Sequence, residues 1–311
     1  MDLFLTGMMR SGTTLLQKSL DQHPELNVSY QNKTSLFLNE VKSFHENLGI
    51  NKYHLLSHYS PNEHYNLENI TKWLNKNNFL DSLKTSDFDK KNGLKEVLAE
   101  EFLPYLTEKN IKCINIIRDP RDVLSSMSFG NGFEHTGLER PILFDLKNWR
   151  KSVLISQYLK DNKNLLTIKM EDLLLDPKDS LEKIYSFLDI EKLPFEILIK
   201  KLNEQEWKSN SSFGQKKAFD SSVIGNYKKV LPIKVREYVE AICFKEMEAM
   251  EYKTSKLDSK EKIILEFTEP FEIKRKEFKS NYTSSKENIQ YELNRSTLPL
   301  DKTINRELLG L

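Results

Sequence analysis

Apolar and polar positions along this chain fall into blocks whose period changes. Four short apolar runs read as buried strands, at 2–6, 93–97, 111–117 and 164–169. Between and after them the spacing turns helical. Leu15, Leu16 and Leu20 share one face of a predicted helix at 13–22, and further helices are predicted at 34–48, 63–84, 98–109, 120–129, 143–161, 178–188, 194–203 and 232–250. Pro232 opens the last of these, where its missing N–H costs nothing. Gly130, Gly132 and Gly137 mark a loop, and 208–226 is rich in Ser and Gly with little pattern. Beyond Lys253 the chain becomes dense in Lys, Glu, Asn, Ser and Thr. Strands alternating with helices predict an α/β fold: a three-layer sandwich with a central parallel sheet flanked by helices. In such sheets ligands sit beyond the carboxyl ends of the strands.

Two of those strand ends carry chemistry. After the first strand comes Gly7-Met8-Met9-Arg10-Ser11-Gly12-Thr13-Thr14, which is nearly a P-loop. Gly7, Gly12 and Thr14 have the spacing of that loop, but Thr13 stands where its lysine belongs. Such a loop still aims backbone N–H groups and a helix N-terminus at an anion. Without the lysine it is poorly suited to nucleoside triphosphate chemistry, and a cation lies upstream instead, at Arg10. The strand at 111–117 runs into Arg118 rather than the acidic residue that would hold Mg²⁺. The fold is thus P-loop-like, built for a phosphate-like group without a metal.

These residues resemble the PAPS-dependent sulfotransferases, which take a sulfuryl group from 3′-phosphoadenylyl sulfate (PAPS) and release PAP. Arg10-Ser11-Gly12-Thr13-Thr14-Leu15 followed by His23-Pro24 is closer to the tyrosylprotein and bacterial branch than to the cytosolic aryl branch. Arg118 and Ser126 have the spacing of the family's 3′-phosphate ligands, and Glu171-Asp172-Leu173-Leu174 with Asp176-Pro177 matches a third segment. The resemblance covers roughly 2–252, with 30–90 matching poorly. It implies that Ser11, Gly12, Thr13 and Thr14 hold the 5′-phosphosulfate and that Arg10 stabilises the leaving oxygen. It implies that Arg118 and Ser126 hold the 3′-phosphate, and that a segment including Ser212 and Lys228 closes over the nucleotide. Lys95, in Gly93-Leu94-Lys95-Glu96-Val97, takes the place of the second catalytic cation. Where the tyrosylprotein branch carries a glutamate base, this chain has Gln31, and glutamine accepts no proton. His54 and His58, four residues apart, are the replacement candidates carried forward, beside Glu40 and His135; as a metal pair they lack a third ligand nearby.

Composition narrows the classes. Of 311 residues, 38% are hydrophobic, enough for a sizeable core, and the net charge of +1 gives no support to nucleic-acid binding. No apolar run reaches membrane-spanning length, and the first strand begins too early for a leader peptide. Cys113 and Cys243 make no disulfide framework, so a cytoplasmic protein is expected. The expected organisation is a catalytic domain at 1–254, with 31–90 as an acceptor-side helical insertion. Residues 255–311 form a polar extension, read as a lid or oligomerisation arm, with a homodimer as one outcome. The expected reaction is sulfuryl transfer to a hydroxyl, or less readily an amine, of a small molecule or glycan. A tyrosylprotein-type enzyme, a PAP-sensing protein without a base and a metal-dependent nucleotide kinase stay open beside it.

Overall fold

The computed structural model describes residues 1–49, 66–84, 89–129, 140–204, 217–273 and 286–310. Five parallel strands form one sheet in the order β2-β3-β1-β4-β5. They are β1 (Leu3–Thr6), β2 (Leu26–Tyr30), β3 (Lys91–Lys95), β4 (Lys112–Ile117) and β5 (Leu165–Lys169). Both neighbours of β1 are set in register by buried apolar side chains, with Leu3 opposite Gly93 and Lys112. That register places Lys95 beside Leu5 and Asn115 beside Thr6, so β1, β3 and β4 end together at one edge.

The pleat of β1 feeds two cores. Phe4 points into one and Leu3 and Leu5 into the other. On the Phe4 side Phe37, Phe79 and Phe102 interlock, with Phe37 and Phe102 edge to face at 4.6 Å. This layer holds α2 (Thr34–Asn47), α3 (Leu67–Lys76), α4 (Leu103–Glu108), α5 (Pro120–Ser128), α6 (Ile142–Tyr158) and later α11 (Ile233–Ala249). On the other side lie α1 (Thr13–Asp21), α8 (Pro177–Leu188) and α9 (Phe195–Glu204), with the short α7 (Met170–Leu175) before them. The three-layer α/β sandwich expected from the alternation is the fold. One buried polar residue locks the layers: Asn115 on β4 donates to the Ser152 carbonyl at 3.1 Å and to Ser156 Oγ at 2.7 Å on α6. A buried amide without these partners would cost about 1–3 kcal/mol.

Strand β2 was not among the predicted elements. Its apolar positions Leu26 and Val28 are buried and alternate with polar ones, the half-buried pattern of an edge strand. Five residues flanked by His23-Pro24 and a polar turn give too short a signal to register alone. The strand predicted at 93–97 begins two residues earlier, at Lys91. The helix predicted over 63–84 is α3 followed by a separate 3₁₀ turn at Phe79–Leu83.

After α10 (Tyr227–Val230) and α11 come α12 (Lys260–Glu266), α13 (Lys286–Ser296) and α14 (Leu300–Ile304), ending in a π-helical turn at Asn305–Leu309. Their charged residues are not all solvated. Arg150 of α6, 1% exposed, donates to both carboxylate oxygens of Glu292 at 2.5 and 3.1 Å. Arg295 pairs with Glu246 of α11 and, at 3.2 Å, with Glu307, which also accepts from the Tyr291 hydroxyl. Charge that would be costly if buried singly is buried in complementary pairs.

Candidate active site

The first loop is shaped by backbone that ordinary residues avoid. Gly7 has φ +153°, and a Cβ there would lie 2.4 Å from the carbonyl oxygen of Ile116 on β4. No side chain fits against that backbone atom, so glycine is obligatory where β1 leaves the sheet. Arg10 (φ 67°) and Gly12 (φ 91°) are left-handed. For arginine this is a sparsely populated conformation, of the kind that concentrates at functional sites. The turn aims the Arg10 side chain across to α5, where Nε donates to Ser126 Oγ at 3.0 Å. It also aims the Arg10 carbonyl at Arg118, whose Nη1 donates to it at 3.0 Å.

Helix α1 starts at Thr13 from an N-cap, Gly12, that has no side chain to satisfy the first-turn amides. Ser11 is fully buried, and its Oγ has no hydrogen-bond partner among the described residues. Thr13 is buried and Thr14 half-buried beside it. A buried hydroxyl without a partner, next to an uncapped helix start, is an arrangement that an anion completes. Burial, helped by the nearby Arg118 charge, pulls the Arg10 guanidinium down to about 10. Both effects place the Arg10 guanidinium in a buried setting beside a second cation.

The second loop follows β4. Arg118 and Ser126 are both buried. The Trp149 indole donates to the Arg118 carbonyl at 2.7 Å, and Arg118 Nη2 donates to the carbonyl of Val223 at 3.1 Å. Unlike α1, α5 carries its own cap: Asp119 accepts from the Arg121 amide and the Arg121 Nε, both at 2.9 Å. Arg121 then reaches Glu240 of α11 at 2.6 Å. Glu171, from the third matching segment, accepts from the Asp119 amide and the Tyr252 hydroxyl, both at 2.9 Å. Asp122, 1% exposed, accepts from the amides of Gly225 at 2.6 Å and Tyr227 at 2.8 Å.

At the end of β3, Lys95 is 1% exposed and donates from Nζ to Gln31 Oε1 at 2.8 Å. The same ammonium lies 4.3 Å from the centroid of the Tyr30 ring. Burial lowers it to about 8, against the opposing charge of Glu96. The Glu96 carboxylate accepts from the Lys33 amide at 2.8 Å and Thr34 Oγ1 at 2.6 Å, and so fixes the start of α2. Gln31 is itself left-handed, at φ 42°. The fold therefore brings Arg10, Ser11, Gly12, Thr13, Thr14, Lys95, Arg118 and Ser126 to one edge of the sheet.

Of the remaining predicted site residues, Lys228 is exposed on α10, its ammonium 5.9 Å from the Tyr227 ring. His54, His58, His135 and Ser212 lie outside the described residues. Glu40 accepts from the Trp73 indole at 2.6 Å. Three residues of the site were missed by sequence reasoning. Tyr30 was hidden because β2 went unrecognised, although Leu26-Asn27-Val28-Ser29-Tyr30 carries the alternation that reveals it. Asp122 and Glu96 act through backbone amides far along the chain, for which sequence has no local signal.

Among the described residues, no three His, Cys, Asp or Glu side chains group as a metal site, and no helix is long and apolar enough to cross a membrane. The model of the sulfotransferase domain family matches residues 1–251. The sulfotransferase domain of the Synechococcus PCC 7002 olefin synthase is similar over 81% of this chain and 95% of its own, at 20% identity and a TM-score of 0.51. A mouse sulfotransferase solved with PAP is similar over 79% of this chain and 84% of its own, at 18% identity and a TM-score of 0.48. Retinol dehydratase solved with retinol and PAP is similar over 82% of this chain and 83% of its own, at 15% identity and a TM-score of 0.44. The first of these likenesses is one of fold. No curated protein matches the sequence.

Proposed function

The chain belongs to the sulfotransferase domain family, and from that premise we propose that it transfers the sulfuryl group of PAPS to a hydroxyl, or less readily an amine, of a small-molecule or glycan acceptor. The observation that carries the donor assignment is the junction of Arg10, Arg118 and Ser126 beside the unpartnered Ser11 hydroxyl. Two guanidinium groups, an uncapped helix start and a buried hydroxyl suit an anion bearing phosphate at both ends. Ser11, Gly12, Thr13 and Thr14 hold the 5′-phosphosulfate. Arg118 and Ser126 hold the 3′-phosphate, with Lys228 and Ser212 on the segment that closes over it.

The reaction is a displacement at sulfur. The acceptor oxygen bonds to sulfur, the bond from sulfur to the bridging oxygen breaks, and that oxygen leaves with the electron pair on PAP. Positioning and cations do most of the work, as in phosphoryl transfer. Arg10 on one side and Lys95 on the other meet the charge that grows on the bridging oxygen. Tyr30 flanks the second cation: the Lys95 ammonium lies against its ring. Gln31, hydrogen-bonded to Lys95, orients that ammonium and takes no proton. The acceptor's proton passes to His54, to His58 or to solvent. The acceptor enters from the 31–90 side, and the protein works in the cytoplasm, consistent with two buried free cysteines.

The test is a thermal-shift titration with PAP, ADP and ATP, each with and without Mg²⁺. A ligand that binds only the folded state raises the melting temperature. Stabilisation by PAP without metal is the expected result, and stabilisation by ATP only with Mg²⁺ overturns the donor assignment in favour of a kinase. Gln31 in place of a carboxylate favours one second reading, a PAP-sensing protein. Turnover separates the two: Lys95→Ala should cut kcat by about 10²–10³ while PAP affinity stays close to wild type, and Arg10→Ala should cut kcat as far and also weaken PAP, because its Nε holds Ser126. A wild-type protein that binds PAP yet sulfates no acceptor supports the sensor.

A further inference from the structure

Several buried groups outside the phosphate contacts have no role in the reaction above, and Asp122 carries the most consequence. It sits in the first turn of α5, one turn from Ser126 on the same helix. Both of its carboxylate oxygens are spent on the chain's own backbone, on the amides of Gly225 and Tyr227. Around that contact the segment 220–227 is held at two more points. Arg118 Nη2 holds the Val223 carbonyl, and the Arg121 guanidinium stacks 4.3 Å from the Tyr227 ring centroid. Gly225 is left-handed, at φ +73° with open space where a Cβ would be, so the chain turns back sharply where Asp122 grips it.

Resting on the donor assignment, we propose that Asp122 is a positioning residue for the 3′-phosphate end of the nucleotide: its carboxylate sets where residues 223–228 stand over Arg118 and Ser126. Arg118 is the shared element. One of its nitrogens holds the first loop at the Arg10 carbonyl and another holds the latched segment at Val223. Its guanidinium is therefore oriented from both sides before any ligand arrives, which reduces the ordering cost of binding. A carboxylate accepting two amide hydrogen bonds at once is a strong and geometrically demanding clamp.

Two effects of Asp122 on an incoming phosphate oppose each other. Its negative charge lies near Arg118 and repels the ligand, whereas its grip on the backbone preorganises the site. Two short amide hydrogen bonds and the neighbouring Arg118 cation damp that charge, so preorganisation outweighs the repulsion. Substitution separates the effects, because Asp122→Asn removes the charge and keeps one acceptor, while Asp122→Ala removes both.

Calorimetric affinities for PAP and for 5′-AMP, which lacks only the 3′-phosphate, provide the test, with kcat and KM for PAPS measured alongside. Asp122→Ala should weaken PAP at least tenfold and reduce the PAP-over-AMP preference, with Asp122→Asn intermediate and KM rising more than kcat falls. An unchanged PAP-over-AMP ratio in a folded Asp122→Asn protein would make the carboxylate a purely structural clamp and overturn the proposal. Tighter PAP binding in both variants would overturn it too, with repulsion as the dominant effect. If the wild-type protein itself shows no preference for PAP over AMP, the donor assignment fails and the clamp is not what failed.

Discussion

The two phosphate-side loops leave the same sheet edge one strand apart, yet they are finished in opposite ways. The first is left open: α1 starts without a side-chain cap, and Ser11 Oγ is buried without a partner among the described residues. The second is closed on itself. Asp119 caps α5, Arg121 is bonded to Asp119 and Glu240, Asp122 holds 225–227, and Trp149 and Glu171 take up the remaining backbone groups. The difference teaches how the proposed nucleotide site divides its labour. Polar groups left unsatisfied in the free protein are those a ligand satisfies, and they give the first loop its pull on a group that arrives and departs. Groups satisfied internally give rigidity, which suits the end of the nucleotide that only has to be held.

The comparison breaks most visibly at the braces. Glu240→Ala leaves Arg121 with half its partners in a buried setting and should cost about 3–5 kcal/mol of stability. Urea denaturation measures it, and a loss below about 1 kcal/mol would mean that the second loop is not braced as described.

A smaller effect should come from Lys95, whose charge the proposed reaction needs. With the ammonium lowered to about 8, turnover in the free enzyme should fall as pH rises through that value. Lys95→Arg keeps the cation and should move the fall to higher pH. The pH profile of kcat/KM reads this directly. Stability moves the other way: between about 8 and 10.5 the unfolded chain binds the proton that the folded one has lost. The cost of burying the ammonium is therefore relieved as pH rises through that window. An activity profile flat from 7 to 10 would remove Lys95 from the reaction.

The smallest change sharpens the contrast. Ser11→Ala removes a hydroxyl that has no partner among the described residues, so the protein should be unchanged or stabilised by up to about 1 kcal/mol. The same substitution should weaken PAP. A clear loss of stability would mean that the first loop is as self-satisfied as the second.

Much of the sheet edge was legible because its signals are local. Gly7 and Gly12 are required by backbone geometry, and Arg118 directly follows a mostly apolar buried strand. What escaped reading was non-local. Strand β2 is short and has only two buried apolar residues, Leu26 and Val28, and its pairing with β3 is what makes it a strand. Asp122 meets its partners 103 and 105 residues away, and nothing near it in sequence announces them. The polar tail 255–311 has the composition of a solvated segment. Only the facing charges on α6 and α11 convert Glu292 and Arg295 into interior residues.

That tail imposes an order on how the protein is made. The guanidinium of Arg150 lies on the helix whose Trp149 supports the second loop, and its carboxylate partner is 142 residues further along. A ribosome adding about 5–20 residues per second needs roughly 7–30 s to cover that distance. Once Lys169 has been added the sheet and both loops are complete in sequence, but the α6 helix behind them still carries a cation whose carboxylate partner has yet to be made. Until α13 emerges, the helix that supports the second loop keeps an interior arginine waiting for its partner.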